Sequence, residues 1–360
     1  MKIAVLGTRG IPNRYGGFEQ AAENLSMMWN ILGHEVTVYN PDDHPYKDKT
    51  WNGVKIKQIC SNEKRFGVVG TSIFDYLCLS DALNQDYDVV FELGCSASVF
   101  YQSKNKRDFK IITNMDGLEW KRSKWNKITR KFLEYLEMQA VLKSDALIAD
   151  NPGIQDFLKN KYNADSYYIP YGADVFENPN MKVLEGIEQE PYSYFLLVAR
   201  FEPENNIEMI LDGYIQSKSK EPFFVVGNYK TKYGNVLVDK YKKYPLIIFL
   251  GSIYNFMTLN NIRYFSKIYF HGHSVGGTNP SLLEAMGCSC CIAAHNNAFN
   301  RYVLGEDSYY FNNSNDVAHI INSYAENCRE YYVQNNKIKI KINYNWKSIS
   351  KQYLEILINH

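Results

Sequence analysis

The chain has 360 residues, and its 40 lysines and arginines against 39 aspartates and glutamates leave a formal net charge of +1. Its composition, 45% hydrophobic and 22% charged, is that of a globular protein and excludes disorder, collagen and coiled coil. At roughly 100–200 residues per domain the length predicts two domains, with three possible, and the balanced charge means that a nucleic-acid or membrane partner requires a local patch.

The cysteines and the N-terminus indicate a reducing, cytoplasmic setting. Seven cysteines are too few for a disulfide scaffold, and none forms a CxxC or a Cys/His cluster with zinc spacing. The opening MKIAVLGTRG predicts a first strand and not a signal peptide, because its apolar run stops at Gly7. No apolar run approaches the roughly 18 residues that span a bilayer.

Short apolar runs alternate with longer amphipathic stretches along the whole chain. In chain order the predicted strands are Ile3–Leu6, Glu35–Tyr39, Val54–Ile59, Val89–Leu93, Ile111–Met115, Ala146–Ala149, Tyr167–Ile169, Tyr194–Ala199, Phe223–Val226, Leu246–Leu250, Ile268–Phe270, Cys290–Ala294 and Ser308–Phe311. Strands that are apolar throughout suit parallel sheets buried on both faces. The alternation with helices predicts an α/β protein of two doubly wound halves.

The helices follow an apolar periodicity of three and four residues. Between the first two strands, one stripe is formed by Phe18, Ala22, Leu25, Trp29 and Leu32. The chain also predicts a C-terminal helix over Trp346–Ile358. The segment Gly172–Tyr192 lacks a clear period and is the candidate domain boundary.

The first strand runs into a glycine-rich loop. Gly7 and Gly10 are followed by Gly16 and Gly17, where a helix opens, and a helix N-terminus presents free N–H groups to an anion. The spacing is not GxGxxG, and Asn40 ends the second strand where a dehydrogenase has an acid for the ribose of NAD. Arg9 and Arg14 in this loop favour contact with an anion or a sugar; a plain tight turn is the alternative.

The strand Tyr194–Ala199 ends at a cation. Ligands of open parallel sheets bind beyond the carboxyl ends of the strands, where Arg200 lies. A guanidinium at this edge can clamp a diphosphate. The alternative is a surface salt bridge from Arg200 to Glu202 or Glu204.

The segment GHSVGGTNPSLLEAMG follows the strand Ile268–Phe270 and predicts a second anion-binding junction. Asn279 is placed as a helix N-cap, with Pro280 at the first helical position. Glu284 lies one turn into that helix, where its carboxylate can accept both hydroxyls of a ribose. An ordinary helix glutamate is the alternative for Glu284.

These motifs resemble a known enzyme family. NPSLLEAMGCSCCIAA is similar to the donor-site signature of family 4 glycosyltransferases, and VARFEPENN is similar to their diphosphate-binding turn. ADNPGIQDFL and YIPYGAD resemble the end of the family's N-terminal domain. GTRGIPNRYGGFEQ and NMDGLEWKRSKW resemble a narrower bacterial subgroup associated with rhamnosyl transfer in polysaccharide assembly.

The resemblance implies the GT-B fold, in which two Rossmann-like domains face a central cleft. It implies an acceptor-side domain over residues 1–172, a nucleotide-sugar domain over 173–342, and a C-terminal helix, 343–360, that crosses back to the first domain. It also implies a hexosyltransferase that retains anomeric configuration without an obligatory metal or other cofactor. Helix dipoles and a basic residue then balance charge on the leaving phosphate.

The resemblance implies a set of site residues. The catalytic candidates are Arg200, Asp116 and Glu284. The donor-binding candidates are Gly16, Gly17, Arg200, Gly251, Ser252, Gly276, Gly277, Thr278, Asn279, Ser281, Leu282 and Glu284. The acceptor-side candidates are Arg9, Arg14, Tyr15 and Glu119. For Asp116, a turn-forming Asp-Gly is the alternative.

Two positions depart from the family pattern. Gly276 stands where the family often has the first acid of Glu-x7-Glu, and Asn205 stands where it has a second cation after Arg200. Arg9 or Arg14 could replace that cation when the cleft closes. A deoxysugar offers fewer hydroxyls to hold, so the loss of the first acid points toward dTDP-rhamnose.

One charged segment indicates a surface partner. Basic residues recur from Lys104 to Lys131, interleaved with Trp120 and Trp125, as in a basic helix that rests on anionic lipid. A solvated helix face is the alternative, and nucleic acid is disfavoured because no motif for it accompanies the patch. Asp86-Tyr-Asp88 reads like a DxD metal motif but precedes a strand, at the wrong end of the sheet for ligand.

The sequence therefore predicts a retaining glycosyltransferase, peripheral to the inner face of a bacterial membrane. It would move rhamnose from dTDP-rhamnose to a lipid-linked saccharide in surface polysaccharide synthesis. The alternatives are a GT-B nucleotide-sugar epimerase or hydrolase, and a non-catalytic nucleotide-sugar-binding subunit.

Overall fold

The structure is a computed structural model that describes residues 1–14, 16–61, 67–102, 107–115, 117–122, 124–324 and 326–360. The chain divides into two units. The first comprises Met1–Lys121, Trp125–Tyr171 and Trp346–His360, and the second comprises Arg122–Lys124 and Gly172–Asn345. Each unit is built on its own sheet, so the predicted two-domain α/β fold class is confirmed.

The described strands of the first unit form one eight-stranded sheet in the order β3-β4-β2-β1-β5-β6-β7-β8. The strands are β1 (Lys2–Leu6), β2 (Glu35–Pro41), β3 (Thr50–Trp51), β4 (Val54–Ile59), β5 (Val89–Leu93), β6 (Lys110–Asn114), β7 (Ala146–Ala149) and β8 (Tyr167–Tyr168). All pairs are parallel except β3–β4, a short antiparallel hairpin at the edge. Its second strand was predicted from the sequence, but β3 was not, because two residues are too few to show a period.

The helices of the first unit are Gly17–Ile31, Val68–Ala82, Lys127–Lys143, Pro152–Tyr162 and Trp346–Asn359. In the first of these, Ala22, Leu25 and Trp29 of the predicted stripe are buried, whereas Leu32 lies just past the helix end and is exposed. The stripe therefore ends one turn earlier than its periodicity predicts.

The C-terminal helix packs on the first unit through side chains from well separated parts of the chain. The Nε1 of Trp29 donates to the Ser350 carbonyl at 3.0 Å, and the Asn114 amide donates to the Tyr353 hydroxyl at 3.2 Å. Trp346, Ile349, Tyr353 and Leu357 are buried. Burying a large apolar side chain contributes about 1.5–3 kcal/mol, so this face holds the chain end firmly in place.

The described strands of the second unit form a six-stranded parallel sheet in the order β11-β10-β9-β12-β13-β14. The strands are β9 (Phe195–Val198), β10 (Phe223–Val226), β11 (Ile247–Gly251), β12 (Ile268–His271), β13 (Ile292–His295) and β14 (Tyr309–Phe311). The helices are Ile207–Ser217, Lys232–Tyr241, Phe256–Tyr264, Pro280–Gly287, Ala298–Leu304, Ser314–Ser323 and Glu326–Asn343. Among the described residues, no helix is long and apolar enough to cross a membrane.

The core of the second unit is aromatic. Phe195, Phe223 and Phe270 from the three central strands lie within 6.2 Å of one another, centroid to centroid, and all are fully buried. This core fixes the carboxyl ends of β9 and β12 side by side. The strand order reverses between these two strands, and open α/β sheets bind ligands at such a reversal.

Candidate functional site

The loops that follow β9 and β12 meet at the reversal of the second sheet. A Cβ on Gly272 would lie 2.0 Å from the Asn205 carbonyl oxygen, so only glycine allows this approach. The Asn206 amide donates to the Gly272 carbonyl at 2.7 Å. The turn after β9 and the loop after β12, which are separate motifs in the sequence, therefore form one site.

Arg200 lies at this site with an exposed side chain. Within the described part of the chain its guanidinium makes neither an ion pair nor a hydrogen bond. The alternative of a salt bridge to Glu202 or Glu204 is thus not realised there. An exposed guanidinium at the carboxyl end of a strand suits an anionic ligand.

Asn205 braces the two loops and carries no charge. Its amide donates to the Arg200 carbonyl at 2.8 Å, and its Oδ1 lies 2.9 Å from Nδ1 of His273. The side chain is buried, and both ends are used. The position at which the family pattern has a second cation is therefore occupied by a neutral brace.

A second cation does lie beside this turn. Arg122 is buried and belongs to the short segment that groups with the second unit. Its Nη1 lies 3.8 Å from Oε1 of Glu204, and both carboxylate oxygens of Glu204 are buried without a hydrogen-bond donor among the described residues. Sequence reasoning counted Arg122 in a surface patch and missed this contact, because the pairing joins residues 82 positions apart.

Burial lowers the pKa of two histidines at the end of β12. For His271 the pKa falls to about 3, through burial first and then the charges on His295 and Arg263. For His273 it lies well below the ordinary value, through burial, His271 and the charges on Arg122 and Arg200. Both imidazoles are therefore neutral near pH 7, and positive charge at the site comes from the arginines.

The Gly-Gly loop offers backbone donors. Gly276 has φ +108°, a conformation that favours glycine, and the N–H groups of Gly276 and Gly277 have no acceptor among the described residues. Thr278 behind them is buried. Backbone amides of this kind form an anion-binding concavity.

The helix Pro280–Gly287 starts as predicted, with Asn279 as its cap. The Asn279 side chain accepts from the Ser281 N–H at 2.9 Å, and its carbonyl accepts from the Leu282 N–H at 3.0 Å. The Leu282 side chain is fully buried, and the Ser281 hydroxyl lies 2.8 Å from the Tyr269 hydroxyl. The Asn279 carbonyl also accepts from the Leu283 N–H at 3.3 Å, so Asn279 occupies three of the helix-start N–H groups, and the Gly-Gly amides are the donors left to a ligand.

Glu284 is anchored by a residue that the sequence analysis did not single out. Its Oε2 lies 2.5 Å from Nη2 of Arg263, and 19% of the glutamate side chain is exposed against 2% of the arginine. Arg263 lies in the last turn of the helix Phe256–Tyr264. None of the sequence motifs includes Arg263, and its partner is 21 positions away, so no local pattern indicated this contact.

Gly251 and Ser252 follow β11, at the edge of the same sheet. Gly251 has φ +74°, and Ser252 is exposed. The exposed rings of Tyr254 and Phe256 follow directly. This strand end therefore presents flat apolar groups beside polar backbone.

The glycine-rich loop of the first unit is held by its own carboxylates. Oε1 of Glu19 accepts from the Arg9 N–H at 2.8 Å, and Glu23 accepts from the Asn13 N–H. The Asn40 side chain accepts from the Ile11 N–H at 3.0 Å and donates to the Ile11 carbonyl at 2.8 Å. The asparagine at the end of β2 is thus a brace for the loop, which explains its place there.

The other predicted residues of the first unit are placed as follows. Gly16 caps the helix Gly17–Ile31 with extended backbone, and Arg14 is exposed beside it. Glu119 accepts from Nε1 of Trp125 at 3.0 Å. Tyr15 and Asp116 lie outside the described residues.

The segment predicted as a basic helix is not one helix. Between 107 and 131 it contains β6, a short 3₁₀ turn over Glu119–Lys121, and the start of the helix Lys127–Lys143; 104–106, 116 and 123 lie outside the described residues. The Trp120 indole donates to Glu137 at 3.1 Å, so neither tryptophan is a free interfacial anchor. Arg107 is buried against Asp145, at 2.7 Å.

The exposed apolar groups of this region lie instead on the helix Lys127–Lys143. Ile128, Phe132, Tyr135 and Leu142 recur at helical spacing along one exposed face, with Ile128 82% exposed. Lys127 and Lys131 flank them and are exposed. The surface is thus both basic and apolar.

No group of three or more His, Cys, Asp or Glu in the described ranges is arranged to hold a metal. Asp86 and Asp88, the false DxD, both bind Lys2. The described site is built from arginines, backbone amides and one carboxylate.

Residues 1–174 match the family model described as "Domain of unknown function (DUF1972)". No curated protein matches the sequence.

Solved structures resemble the chain over its whole length. Sucrose-phosphate synthase from Thermosynechococcus elongatus has a TM-score of 0.83 at 14% identity, with 99% of this chain and 98% of that one covered. HepE from Anabaena, in complex with UDP and glucose, has a TM-score of 0.77 at 14% identity over 100% of both chains. A glycosyltransferase from Rickettsia africae has a TM-score of 0.69 at 13% identity, covering 99% and 97%. The chain therefore has the GT-B fold, which it shares with these structures.

Proposed function

We propose that this chain is a glycosyltransferase that takes its sugar from a nucleotide diphosphate sugar. One observation carries the proposal: Arg200 follows β9, and the Gly276 and Gly277 amides and Glu284 follow β12, the two paired strands between which the strand order of the second sheet reverses. A structural neighbour with the same fold is a complex with UDP and glucose. The site thus combines donors for a diphosphate with an acceptor for sugar hydroxyls.

Each group has a distinct part in the proposed transfer. As the bond from the sugar to the β-phosphate breaks, negative charge grows on the phosphate oxygens. Arg200 and the glycine N–H groups are fixed donors that stabilise that charge. Glu284 accepts hydroxyl hydrogens of the nucleotide ribose. Gly251 and Ser252 hold the base beside Tyr254.

The finer assignment is a retaining hexosyltransferase that uses dTDP-rhamnose. Gly276 brings no carboxylate to the sugar, which suits a deoxysugar with fewer hydroxyls. Asp116 is the proposed polar group near the reacting sugar, with Arg9, Arg14, Tyr15 and Glu119 on the acceptor side. No metal or cofactor is part of the proposal.

The proposed acceptor is a lipid-linked saccharide in bacterial surface polysaccharide synthesis, met at the inner face of the membrane. The exposed apolar face of the helix Lys127–Lys143 and its flanking lysines support this. Basic charge attracts the protein to anionic lipid, and apolar side chains enter the interface.

A panel of dTDP-, UDP- and GDP-sugars tests the proposal by thermal shift and calorimetry. The true donor raises the unfolding temperature by an amount that grows with the logarithm of one plus its concentration over Kd, and the others do so weakly. Turnover is then followed with and without a lipid-linked acceptor. Absence of stabilisation by every nucleotide sugar would refute the function, and donor breakdown without any need for acceptor would indicate a hydrolase.

A further inference from the structure

We propose that Arg263 is a positioning residue that holds the Glu284 carboxylate in place for a hydroxyl of the nucleotide ribose. The inference rests on the proposed function, because it assumes that Glu284 contacts the nucleotide. Arg263 itself does not reach the ligand: its side chain is 2% exposed. It acts on the nucleotide through the glutamate.

The contacts of Arg263 join two helices. Its Nη1 donates to Oδ1 of Asn260 at 3.1 Å, one turn earlier in its own helix. Its Nη2 lies 2.5 Å from Oε2 of Glu284 and 3.4 Å from the Ser281 hydroxyl, both on the helix Pro280–Gly287. The planar fork of a guanidinium can bind these partners in fixed directions, which a lysine ammonium does not.

Ser281 and Tyr269 complete the cradle around this pair. The Tyr269 hydroxyl lies 2.8 Å from the Ser281 hydroxyl and 3.4 Å from the Val198 carbonyl, on the last residue of β9. Tyr269 itself is on β12. The cradle therefore ties the glutamate to the two strands whose ends form the site.

The electrostatics agree with this geometry. Burial opposes the charged form of Arg263, but the Glu284 carboxylate together with the side chains of Tyr269, Cys288 and Cys290 more than offsets it, so the pKa of Arg263 is raised. An ion pair with so little solvent around it keeps its geometry. Because this contact fixes the direction of the carboxylate and 19% of the glutamate side chain is exposed, a ribose hydroxyl meets an acceptor that is already aligned.

A fixed carboxylate predicts selection for a nucleotide hydroxyl. Both ribose and deoxyribose carry a 3′-hydroxyl, so the probes are dTDP against 2′,3′-dideoxythymidine diphosphate and UDP against 3′-deoxyuridine diphosphate. A hydrogen bond to a charged group predicts that loss of this hydroxyl weakens binding by at least about tenfold. The ratio of the two dissociation constants therefore reports the position of Glu284.

Calorimetry on the full chain measures this ratio in the wild type and in Arg263→Met, Arg263→Lys and the double variant Arg263→Met with Glu284→Gln. We expect the ratio to fall to about one in Arg263→Met and in the double variant, and to recover in part in Arg263→Lys. The double variant removes both charges, so no buried charge is left without its partner. Its ratio is the value expected without the Glu284 carboxylate, and Arg263→Lys, which keeps a cation beside Glu284 but not the planar fork, tests the positioning role where Arg263→Met does not fold.

Arg329→Met is the matched control. Arg329 is another arginine of the second unit, and it donates to the carbonyls of Ser266 and Lys267 away from Glu284. Its loss leaves the ratio unchanged. Equal weakening of both members of a nucleotide pair in the Arg263 variants would mean that Arg263 only supports the fold, and would overturn the inference. A wild type that binds nucleotide without distinguishing the pair would overturn it too, while binding of no nucleotide would overturn the proposed function itself.

Discussion

Oδ1 of Asn205 lies 2.9 Å from Nδ1 of His273, and this contact joins the turn after β9 to the loop after β12. Because an amide oxygen only accepts, His273 donates through Nδ1–H, the form that a neutral imidazole provides. The lowered pKa of His273 agrees with a neutral ring. The two loops of the candidate site are therefore fixed to each other by a neutral hydrogen bond.

Replacement of that brace should loosen the site. Asn205→Ala removes the bonds to His273 and to the Arg200 carbonyl and leaves buried groups unpaired, so we expect a loss of about 1–3 kcal/mol in the free energy of unfolding. Urea denaturation measures it. Asn322→Ala, on an exposed helix surface, is the control and stays within about 0.5 kcal/mol of the wild type. Equal curves for the two variants would show that the brace contributes nothing.

Arg200 should act on the diphosphate and not on the base. We expect Arg200→Ala to weaken UDP or dTDP binding by about tenfold or more, because a charge-assisted hydrogen bond is lost. The free nucleosides, which lack phosphate, should bind the variant and the wild type equally. Calorimetry compares them. A parallel loss for the nucleosides would remove Arg200 from the phosphate site.

The cation that binds the diphosphate together with Arg200 can be identified by measuring diphosphate binding in variants of Arg9, Arg14 and Arg122. The sequence favours Arg9 or Arg14, whereas in the second unit Arg122 is the cation that lies 3.8 Å from Glu204 on the Arg200 turn. We expect Arg122→Ala to weaken diphosphate binding by about tenfold beyond any effect on stability. If Arg9→Ala or Arg14→Ala has the larger effect and Arg122→Ala has none, the sequence-based expectation is right.

The buried imidazole of His271 should make the fold sensitive to mild acid. Its pKa of about 3 lies below the unfolded value near 6.5, so the unfolded chain binds more protons between these limits. Stability is therefore fully present above pH 6.5 and falls as the pH drops toward 3. Protonation of this one group in the unfolded chain lowers the free energy of unfolding by about 2 kcal/mol between pH 7 and pH 5.

His271→Phe removes this titration, so its urea midpoint should decline less than that of the wild type between pH 7 and pH 5. His271 is 4% exposed, and phenylalanine keeps its ring packing beside Tyr269. His319→Phe, at an exposed position, is the control and should follow the wild-type curve. Identical pH profiles for wild type and His271→Phe would contradict the prediction.

The helix Lys127–Lys143 should bind anionic vesicles. We expect the protein to co-sediment with vesicles rich in phosphatidylglycerol at low salt, but not with neutral ones, because each lysine near the surface contributes about 1 kcal/mol. Lys121, Lys127 and Lys131, all changed to Gln, should lose binding, and Ile128→Asn should weaken it by removal of an apolar contact.

The matched control changes Lys218, Lys220 and Lys243 of the second unit to Gln. It removes the same charge from a different exposed surface, so vesicle binding should persist. Equal binding by both triple variants would mean that only net charge matters, and the proposed surface would be abandoned.

Local patterns in the sequence determined the fold class and most of the secondary structure. Uniformly apolar runs predicted the parallel strands, since such strands are buried on both faces, and Asn279-Pro280 predicted a helix start that the structure confirms. The glycines of the loops were equally visible, because only glycine permits their backbone. These signals are carried by neighbouring residues, so they can be read without the fold.

Only the tertiary structure decided how charges and polar groups are paired. The Arg263–Glu284 pair, the Arg122–Glu204 contact and the Asn205–His273 brace each join residues that are 21 to 82 positions apart. The same holds for the basic segment, where Arg107 is buried and Trp120 is bonded to Glu137. The identity of a charged residue does not show whether its side chain is exposed to water or paired with another side chain. Packing of the strands and helices determines whether a charged side chain is exposed or paired. A buried charge requires a partner, and packing brings a suitable side chain close to it.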